Sequence, residues 1–415
     1  IEHDGETITM QKASLFLKEQ NESLRKKVFE KMAKRRCADI LTLDELFNTL
    51  IQKRTVLAKN AGFENYRDYK FKQMGRFDYT KESCFEFHEA VEQHIVPLVK
   101  KIQQQKLDTM GKTIFSPWDT AVNAEGKAPL KPFQSGQEML NGTIAVFEKI
   151  NPEFASFLKT MEKMKHLDLE SKPGKAPGGY NYPLYETGAP FIFMNAVGSQ
   201  GDLSTMIHEG GHAIHSFLTH DLELTAFKSF PSEIAELASM SMELLSMDYW
   251  NEFYDETDDL QRAKKEQLQG TITILPWIAQ IDAFQHWVYE NHNHTSEERT
   301  KFWMELNKRF GTGLIDWTGY EETLSSSWQR QMHLFEVPFY YIEYGIAQLG
   351  AIGVWKNSRS DYKQSVADYR TALSLGYTKS MPKVYAEAGV DFKFTGDHIC
   401  MLADFVASEL EKLGA

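Results

Sequence analysis

The segment MIHEGGHAIH places His208 and His212 four positions apart, with Glu209 directly after the first histidine. Its surroundings predict a helix, on which residues four apart sit one turn above each other and share a face. The two imidazoles therefore converge on one point. Neutral imidazole nitrogens suit Zn²⁺ at about 2.0–2.1 Å, and a third protein ligand would complete a catalytic set whose fourth tetrahedral position stays open to water. Glu209 stands where a carboxylate takes a proton from that water instead of binding the metal. Gly210 and Gly211 each cost helix stability on the order of 1 kcal/mol relative to alanine. A bare backbone there either lets substrate pass close to the metal or lets another helix pack closely.

The third ligand is expected from PSEIAELASMSMELL, which offers Glu233, Glu236 and Glu243. Glu233 follows Ser232 in a predicted first turn, where a carboxylate favours the helix dipole and needs no other use. Glu236 and Glu243 are seven apart and share a face. Ala235, Leu237, Ala238 and Met240 surround Glu236 with apolar or small side chains, and a carboxylate buried among them is costly without a cation. Glu236 is therefore the candidate third ligand, and Glu243 a candidate acceptor for a ligand histidine's other ring nitrogen. His215 lies seven residues from His208, a turn further from the metal, and reads as a support or packing residue. His286, His292 and His294 show no carboxylate at recognisable ligand spacing and read as ordinary core or surface histidines.

These residues need elements to hold them. From Gln11 to Lys106 apolar residues recur at three and four, as in Leu15, Leu24, Val28 and Met32, then Ile40, Leu43, Leu46, Leu50 and Ile51, which predicts a stack of amphipathic helices. Pro97 and the Gly111 region interrupt the pattern, and Pro117, Pro129 and Pro132 break the stretch from Ile114 to Phe133. A boundary is expected near residue 125. Between Lys172 and Gln200 the text turns to Gly, Pro, Tyr and Asn, with a strand predicted only over Pro190 to Asn195. Asp202 is the expected N-cap of a helix running to about Phe217, and Ser232 of another running to about Tyr249. Further helices are expected to Leu306, from Trp328 to Val354 and from Ser360 to the C-terminus. The fold class is mainly α, with a small β element next to the HExxH helix. The expected regions are 1–125, a helical region, 126–350, a zinc catalytic region, and 351–415, C-terminal helices.

At 415 residues the chain exceeds the usual size of a single core, and its 42% hydrophobic and 25% charged residues are those of an ordinary globular protein. Collagenous, disordered and membrane classes are excluded, and apolar runs such as Ala189 to Met194 are too short to span a bilayer. A net charge of -12 without a basic stripe argues against nucleic acid, and Lys31, Lys34, Arg35 and Arg36 read as a solvated helix face. Cys37, Cys84 and Cys400, odd in number and far apart, fit neither a disulfide framework nor a CxxC site, which points to a reducing cytoplasm. The chain starts at Ile1 without a signal segment and reads as an internal start, so an upstream portion is expected.

The motif HEGGHAIH with the downstream FPSEIAELASMSMELL resembles the oligoendopeptidase F branch of the thimet-oligopeptidase-like zinc metallopeptidases. KPGKAPGGY and APFIFMN resemble that branch's glycine-rich loop and the edge strand before its metal helix. AKNAGFENYRDY resembles a helical region, and SSSWQRQMHLFEVPFYYIEYGIAQLGA its histidine and tyrosine segment. The likeness runs from about residue 40 to about residue 350. It implies a helical body split by a deep substrate cleft with one Zn²⁺ per chain on its floor, cutting short peptides at internal bonds, with a further helical region upstream. It places Glu236 at the third-ligand position, in agreement with the burial argument. It also implies that His333, Tyr341 and Tyr344 are donors to the oxyanion, a task suited to groups that bind the developing charge better than the ground-state carbonyl. Phe339, Tyr340, Tyr341 and Tyr344 would equally pack as an aromatic core stripe. For the substrate the resemblance implies Gly178, Gly179 and Tyr180 of the loop and Phe191, Phe193 and Asn195 of the strand, whose backbone would pair with an extended peptide.

Two other functions fit parts of the pattern. A zinc carboxypeptidase of similar helical fold needs a cationic side chain for the substrate's terminal carboxylate. A noncatalytic peptide-binding protein or structural zinc module would not need Glu209, and a structural site normally closes with a fourth protein ligand. Mn²⁺ or Co²⁺ suits the same ligands. Nothing in the pattern fixes an oligomeric state.

Overall fold

A computed structural model describes residues 1–172, 174–176 and 178–414. The chain forms two compact units, each built from two separated segments: unit one is Ile1–Pro129 with Thr273–Ile342, and unit two is Leu130–Ile272 with Glu343–Ala415. Chain order does not show this grouping. The first change of unit falls at Pro129, close to the expected boundary, but the second falls inside one helix, Thr257–Glu290. An uninterrupted helical pattern hides such a crossing, so residues 273–342 group with the N-terminal helices and not with the region 126–350. The C-terminal helices likewise group with 130–272 and not by themselves.

Unit one is a helical stack containing Glu22–Cys37, Ile40–Asn60, Tyr66–Gln73 and Lys81–Ala90, the last running through a π-helical turn at Val91–Ile95 into Val96–Met110. Pro97 lies in the first turn of Val96–Met110, immediately after the π-helical turn, and the helical run continues through it. Gly111 ends the helix at φ 66°, the left-handed cap that glycine adopts without strain. Phe47, Phe87, Val91, Trp303, Trp328 and Phe339 form part of the core. One ionic knot centres on a buried carboxylate. Asp119 is fully buried and bonds Arg25 Nη2 through Oδ1 at 2.7 Å and Lys112 Nζ through Oδ2 at 2.7 Å.

Unit two holds the helices Gly136–Ile150 and Pro152–Met164, a three-stranded sheet, the motif helix Gln200–Leu218 and the glutamate helix Ser232–Ser246. The start of Thr257–Glu290 and the helices from Ile342–Ser358 to Gly396–Lys412 follow. Its core includes Phe147, Phe154, Leu203, Ile207, Ile214, Leu237 and Met242. Ser199, and not Asp202, caps the motif helix: Ser199 Oγ accepts from Asp202 N at 3.2 Å while the Asp202 carboxylate accepts from Ser199 N at 2.8 Å. This reciprocal pair satisfies two backbone donors that a single cap would leave open. Ser232 is the first helical residue of its helix, preceded by Pro231 without a side-chain cap.

The sheet departs from expectation. Phe191–Ala196 is its middle strand and not an edge, paired parallel with Leu167–Glu170 and antiparallel with Tyr180–Tyr182. Both sides of Phe191 to Phe193 are occupied by neighbours, Tyr182 and Tyr180 on one side and Asp168 opposite Phe193 on the other. The expected strand is therefore present but closed to a substrate, and Tyr180–Tyr182 carries the open edge next to it. Among the described residues no helix is long and apolar enough to cross a membrane.

Candidate metal centre

The motif helix and the glutamate helix pack directly against each other at Gly211, and Gly210 lets the helix Gly136–Ile150 approach through Phe147. A Cβ on Gly211 would stand 2.6 Å from Ser239 Cα and 2.9 Å from Ala238 O, and one on Gly210 would stand 2.8 Å from the Phe147 ring. Of the two uses open to these glycines, the structure shows close packing. It also brings Glu236 under the two histidines. His208 Nε2 lies 3.2 Å and His212 Nε2 3.7 Å from Glu236 Oε2, and one ligand atom from each residue falls within 4.8 Å of the others. Ligand atoms about 2.1 Å from a common ion in tetrahedral array lie about 3.4 Å apart. The three residues therefore fit a divalent ion, and their rings stand edge to face at 88° with centroids 4.8 Å apart.

Two of the three candidate ligands, His208 and Glu236, are held from behind. His208 Nδ1 donates to Glu243 Oε1 at 2.7 Å, which would leave Nε2 to hold an ion, and Gln267 Nε2 donates to Glu243 Oε2 at 2.6 Å. Ser204 Oγ donates to Gln267 Oε1 at 2.8 Å, Gln200 Nε2 approaches Ser204 Oγ at 3.4 Å, and the Tyr254 hydroxyl donates to Gln200 Oε1. Ser239 Oγ donates to Glu236 Oε2 at 3.2 Å. Glu243 thus sits where the spacing placed it. Gln267, Ser204, Gln200, Tyr254 and Ser239 were not legible, because a polar residue on a helix gives no signal of which neighbour it meets.

The charges differ sharply over this short distance. His208 is desolvated, yet its bonds to Glu236 and Glu243 hold its proton well above the usual imidazole range. Burial pushes His212 down to about 4. Glu209 is 5% exposed and its Oε2 has no hydrogen-bond partner; burial, helped by Glu236 and Glu243 against the pull of His208, raises its carboxyl to about 7. A buried carboxylate without a partner is costly. This one is poised to bind a proton. His215 is fully buried and stacks on Phe230 with centroids 3.5 Å apart, so it packs behind the site and touches no ligand histidine by hydrogen bond.

Beside the motif helix, Asn181 Nδ2 donates to Glu209 O at 3.4 Å, and a Cβ on Gly179 would stand 3.3 Å from Thr205 Cγ2. The strand Tyr180–Tyr182 is thereby fixed along the helix that carries the ligands. Gly178 adopts φ 101°, a backbone that side chains resist. Asn195 does not present its amide outward: Nδ2 donates to Ala176 O at 2.8 Å and Gly178 O at 2.9 Å, tying down the loop. Phe193 is stacked under Tyr180 with centroids 5.0 Å apart and has Lys175 Nζ 4.4 Å from its ring. Phe191 is partly exposed.

His333 and Tyr341 belong to unit one, and Tyr344 lies in the first turn of Ile342–Ser358 in unit two. Within unit one the His333 tautomer is set. Trp277 Nε1 can only donate, and it donates to Gln331 Oε1 at 3.1 Å; Gln331 Nε2 therefore donates to His333 Nδ1 at 2.6 Å. The neutral ring then carries its proton on Nε2, as a donor must. The Tyr341 ring packs edge to face on His333 with centroids 5.1 Å apart, and burial pushes its hydroxyl up to about 12, so it too keeps its proton.

The chain is 27% identical over 271 residues to oligopeptidase PepF of Bacillus subtilis, covering 64% of this chain and 40% of that protein. It is 24% identical over 344 residues to a plasmid-borne oligoendopeptidase F of Lactococcus lactis, covering 78% and 54%. The chain thus spans about half the length of the relatives it matches. The solved structure of PZ peptidase A with inhibitor 2 superposes with a TM-score of 0.94 at 28% identity, over 99% of this chain and 72% of that one. The family model described as peptidase family M3 matches residues 15–400, and with that extent of match the chain belongs to peptidase family M3.

Proposed function

We propose that this chain carries the catalytic centre of a zinc-dependent oligoendopeptidase that hydrolyses internal bonds of short peptides. The observation that supports it most is the pairing of a three-ligand triangle, His208, His212 and Glu236, with a buried carboxyl, Glu209, that has no bonding partner of its own on Oε2. The bound ion would supply Lewis-acid polarisation of the scissile carbonyl and acidify water to near pH 7. Glu209 takes the proton of the attacking water and returns it to the amine that leaves. With a dication bound, Glu209 would favour its charged form more than burial alone allows. Glu243 and Gln267 keep His208 turned so that Nε2 would hold the ion. His333, Tyr341 and Tyr344 are the candidate donors to the carbonyl oxygen as it gains negative charge, and the fixed Nε2 proton of His333 suits that role.

For the substrate we place the extended backbone along the open edge of Tyr180–Tyr182 instead of along Phe191–Ala196. Tyr180 and Tyr182 are 50% and 61% exposed, which leaves aromatic side chains to grip a peptide whose backbone supplies the hydrogen bonds. Main-chain pairing recognises length and extension more than sequence, so specificity is broad.

Cleavage sites on N- and C-terminally blocked peptides, mapped by mass spectrometry with and without a chelator, test the proposal. Internal cuts that need the metal and vanish in Glu209→Gln are expected. Cuts only after a free C-terminus is supplied would make the enzyme a carboxypeptidase, and full activity of Glu209→Gln would remove the assigned base.

A further inference from the structure

A second cluster of ligand-type residues lies in unit one, apart from the motif. Cys84 and His88 are four apart on Lys81–Ala90, and Asp282 and His286 are four apart on Thr257–Glu290. Each pair shares one face of its helix, and the two faces meet: ligand atoms of Cys84, Asp282 and His286 lie within 4.8 Å of one another. The design repeats that of the motif, with residues one turn apart on one helix completed by residues of another. Cys84, His88 and His286 are each 2% exposed and Asp282 is fully buried. Phe71, Phe85 and Phe339 pack on the His286 ring with centroids 5.9, 5.0 and 5.4 Å away, so the surroundings are aromatic and dry. The helix bearing Cys84 passes into its π-helical turn at Val91, three residues after His88, a distortion that recurs at functional sites.

Hydrogen bonding within the protein does not account for this cluster. His88 Nε2 bonds Asp282 Oδ2 at 2.9 Å. Asp282 Oδ1 and both ring nitrogens of His286 nevertheless have no hydrogen-bond partner, and the 3.3 Å approach of His286 Nε2 to Asp282 Oδ2 forms none. Buried polar atoms left open in an aromatic shell are rare because each forfeits its hydration.

We propose that Cys84, Asp282 and His286 bind a second transition-metal dication, Zn²⁺ by the softness of the thiolate and imidazole, with His88 orienting Asp282 through its other oxygen. On binding, the Cys84 thiol releases its proton to solvent, and thiolate and carboxylate together balance the two positive charges. The role is structural: the ion pins Lys81–Ala90 to Thr257–Glu290, and the site is closed to substrate by its burial.

The test uses the intact chain produced in cobalt-supplemented medium, because a buried site fills during folding. The motif site contains no sulfur ligand, so a thiolate-to-Co²⁺ charge-transfer band in the near ultraviolet reports Cys84 alone. The band is expected in the wild type, in the double variant His208→Ala, His212→Ala and in the double variant Cys37→Ser, Cys400→Ser, and is expected to be lost in Cys84→Ser with unchanged circular dichroism. Protein grown in zinc should hold roughly two ions per chain, and roughly one after His208→Ala, His212→Ala. Absence of the band from the wild type, its survival in Cys84→Ser, or a metal-free His208→Ala, His212→Ala protein would each overturn the proposal. If Cys84→Ser does not fold, the wild-type spectrum and the metal content of the motif double variant decide.

Discussion

At the scale of single residues the chemistry depends on groups whose surroundings leave them unbalanced. Glu209 has no partner on Oε2 and a raised pKa. Replacing it with glutamine keeps size and packing while removing the proposed base, so kcat should fall by about 10²–10⁴-fold with zinc content unchanged by elemental analysis. Glu243 acts one bond further back. Glu243→Gln should weaken zinc binding by about 10–100-fold, read as the chelator concentration that halves activity. His208, Glu209, His212, Glu236 and Glu243 were legible because helical spacing converts directly into a shared face. Asp282 was not, although it stands four before His286, since its value lies in Cys84, nearly two hundred positions away in sequence. The carboxylate missing from the spacing of His286 was there, and the spatial partner was what the sequence could not supply.

At the scale of elements, the approach of the motif helix to the glutamate helix decides whether Glu236 reaches the histidines. Gly211→Ala sets two effects against each other. Helix propensity gains about 1 kcal/mol, whereas a Cβ pressed to 2.6 Å from Ser239 Cα meets backbone that cannot rotate away, and overpacking costs about 1–3 kcal/mol. The clash wins, so the thermal midpoint should fall and zinc affinity with it; an unchanged midpoint and affinity would mean that the helices can separate freely. The strand Phe191–Ala196 was recognisable by composition, but its place in the middle of the sheet was not. Pairing is settled by Leu167–Glu170 and Tyr180–Tyr182, and the second of these is too short and too polar to announce itself as a strand.

At the scale of the whole molecule, stability in acid rests partly on the Arg25, Asp119 and Lys112 knot. Burial alone would raise the Asp119 carboxyl, but its bonds to Lys112 and Arg25 outweigh that and hold it below the usual range. A carboxyl with a lower pKa folded than unfolded binds fewer protons in the folded state, so its stabilisation is complete above about pH 4 and is lost as pH falls through the folded value. Asp119→Asn should therefore melt below the wild type at neutral pH, and the gap should narrow as pH falls below about 4. Asp119→Ala, which leaves the buried Arg25 with backbone acceptors at Glu19 and Gln20 but no countercharge, should cost about 3–5 kcal/mol. The mainly helical class was plain from periodicity, whereas the two-segment composition of each unit was invisible, because nothing in a helix's apolar stripe says which unit it covers.

That discontinuity also sets a timetable for synthesis. Unit one needs Thr273–Ile342 to complete what Ile1–Pro129 begins, and at roughly 5–20 residues per second a ribosome takes about 10–40 s to travel from Cys84 to Asp282. Throughout that interval the early helices carry uncovered apolar faces, so this chain is a natural client for chaperones that bind before translation ends.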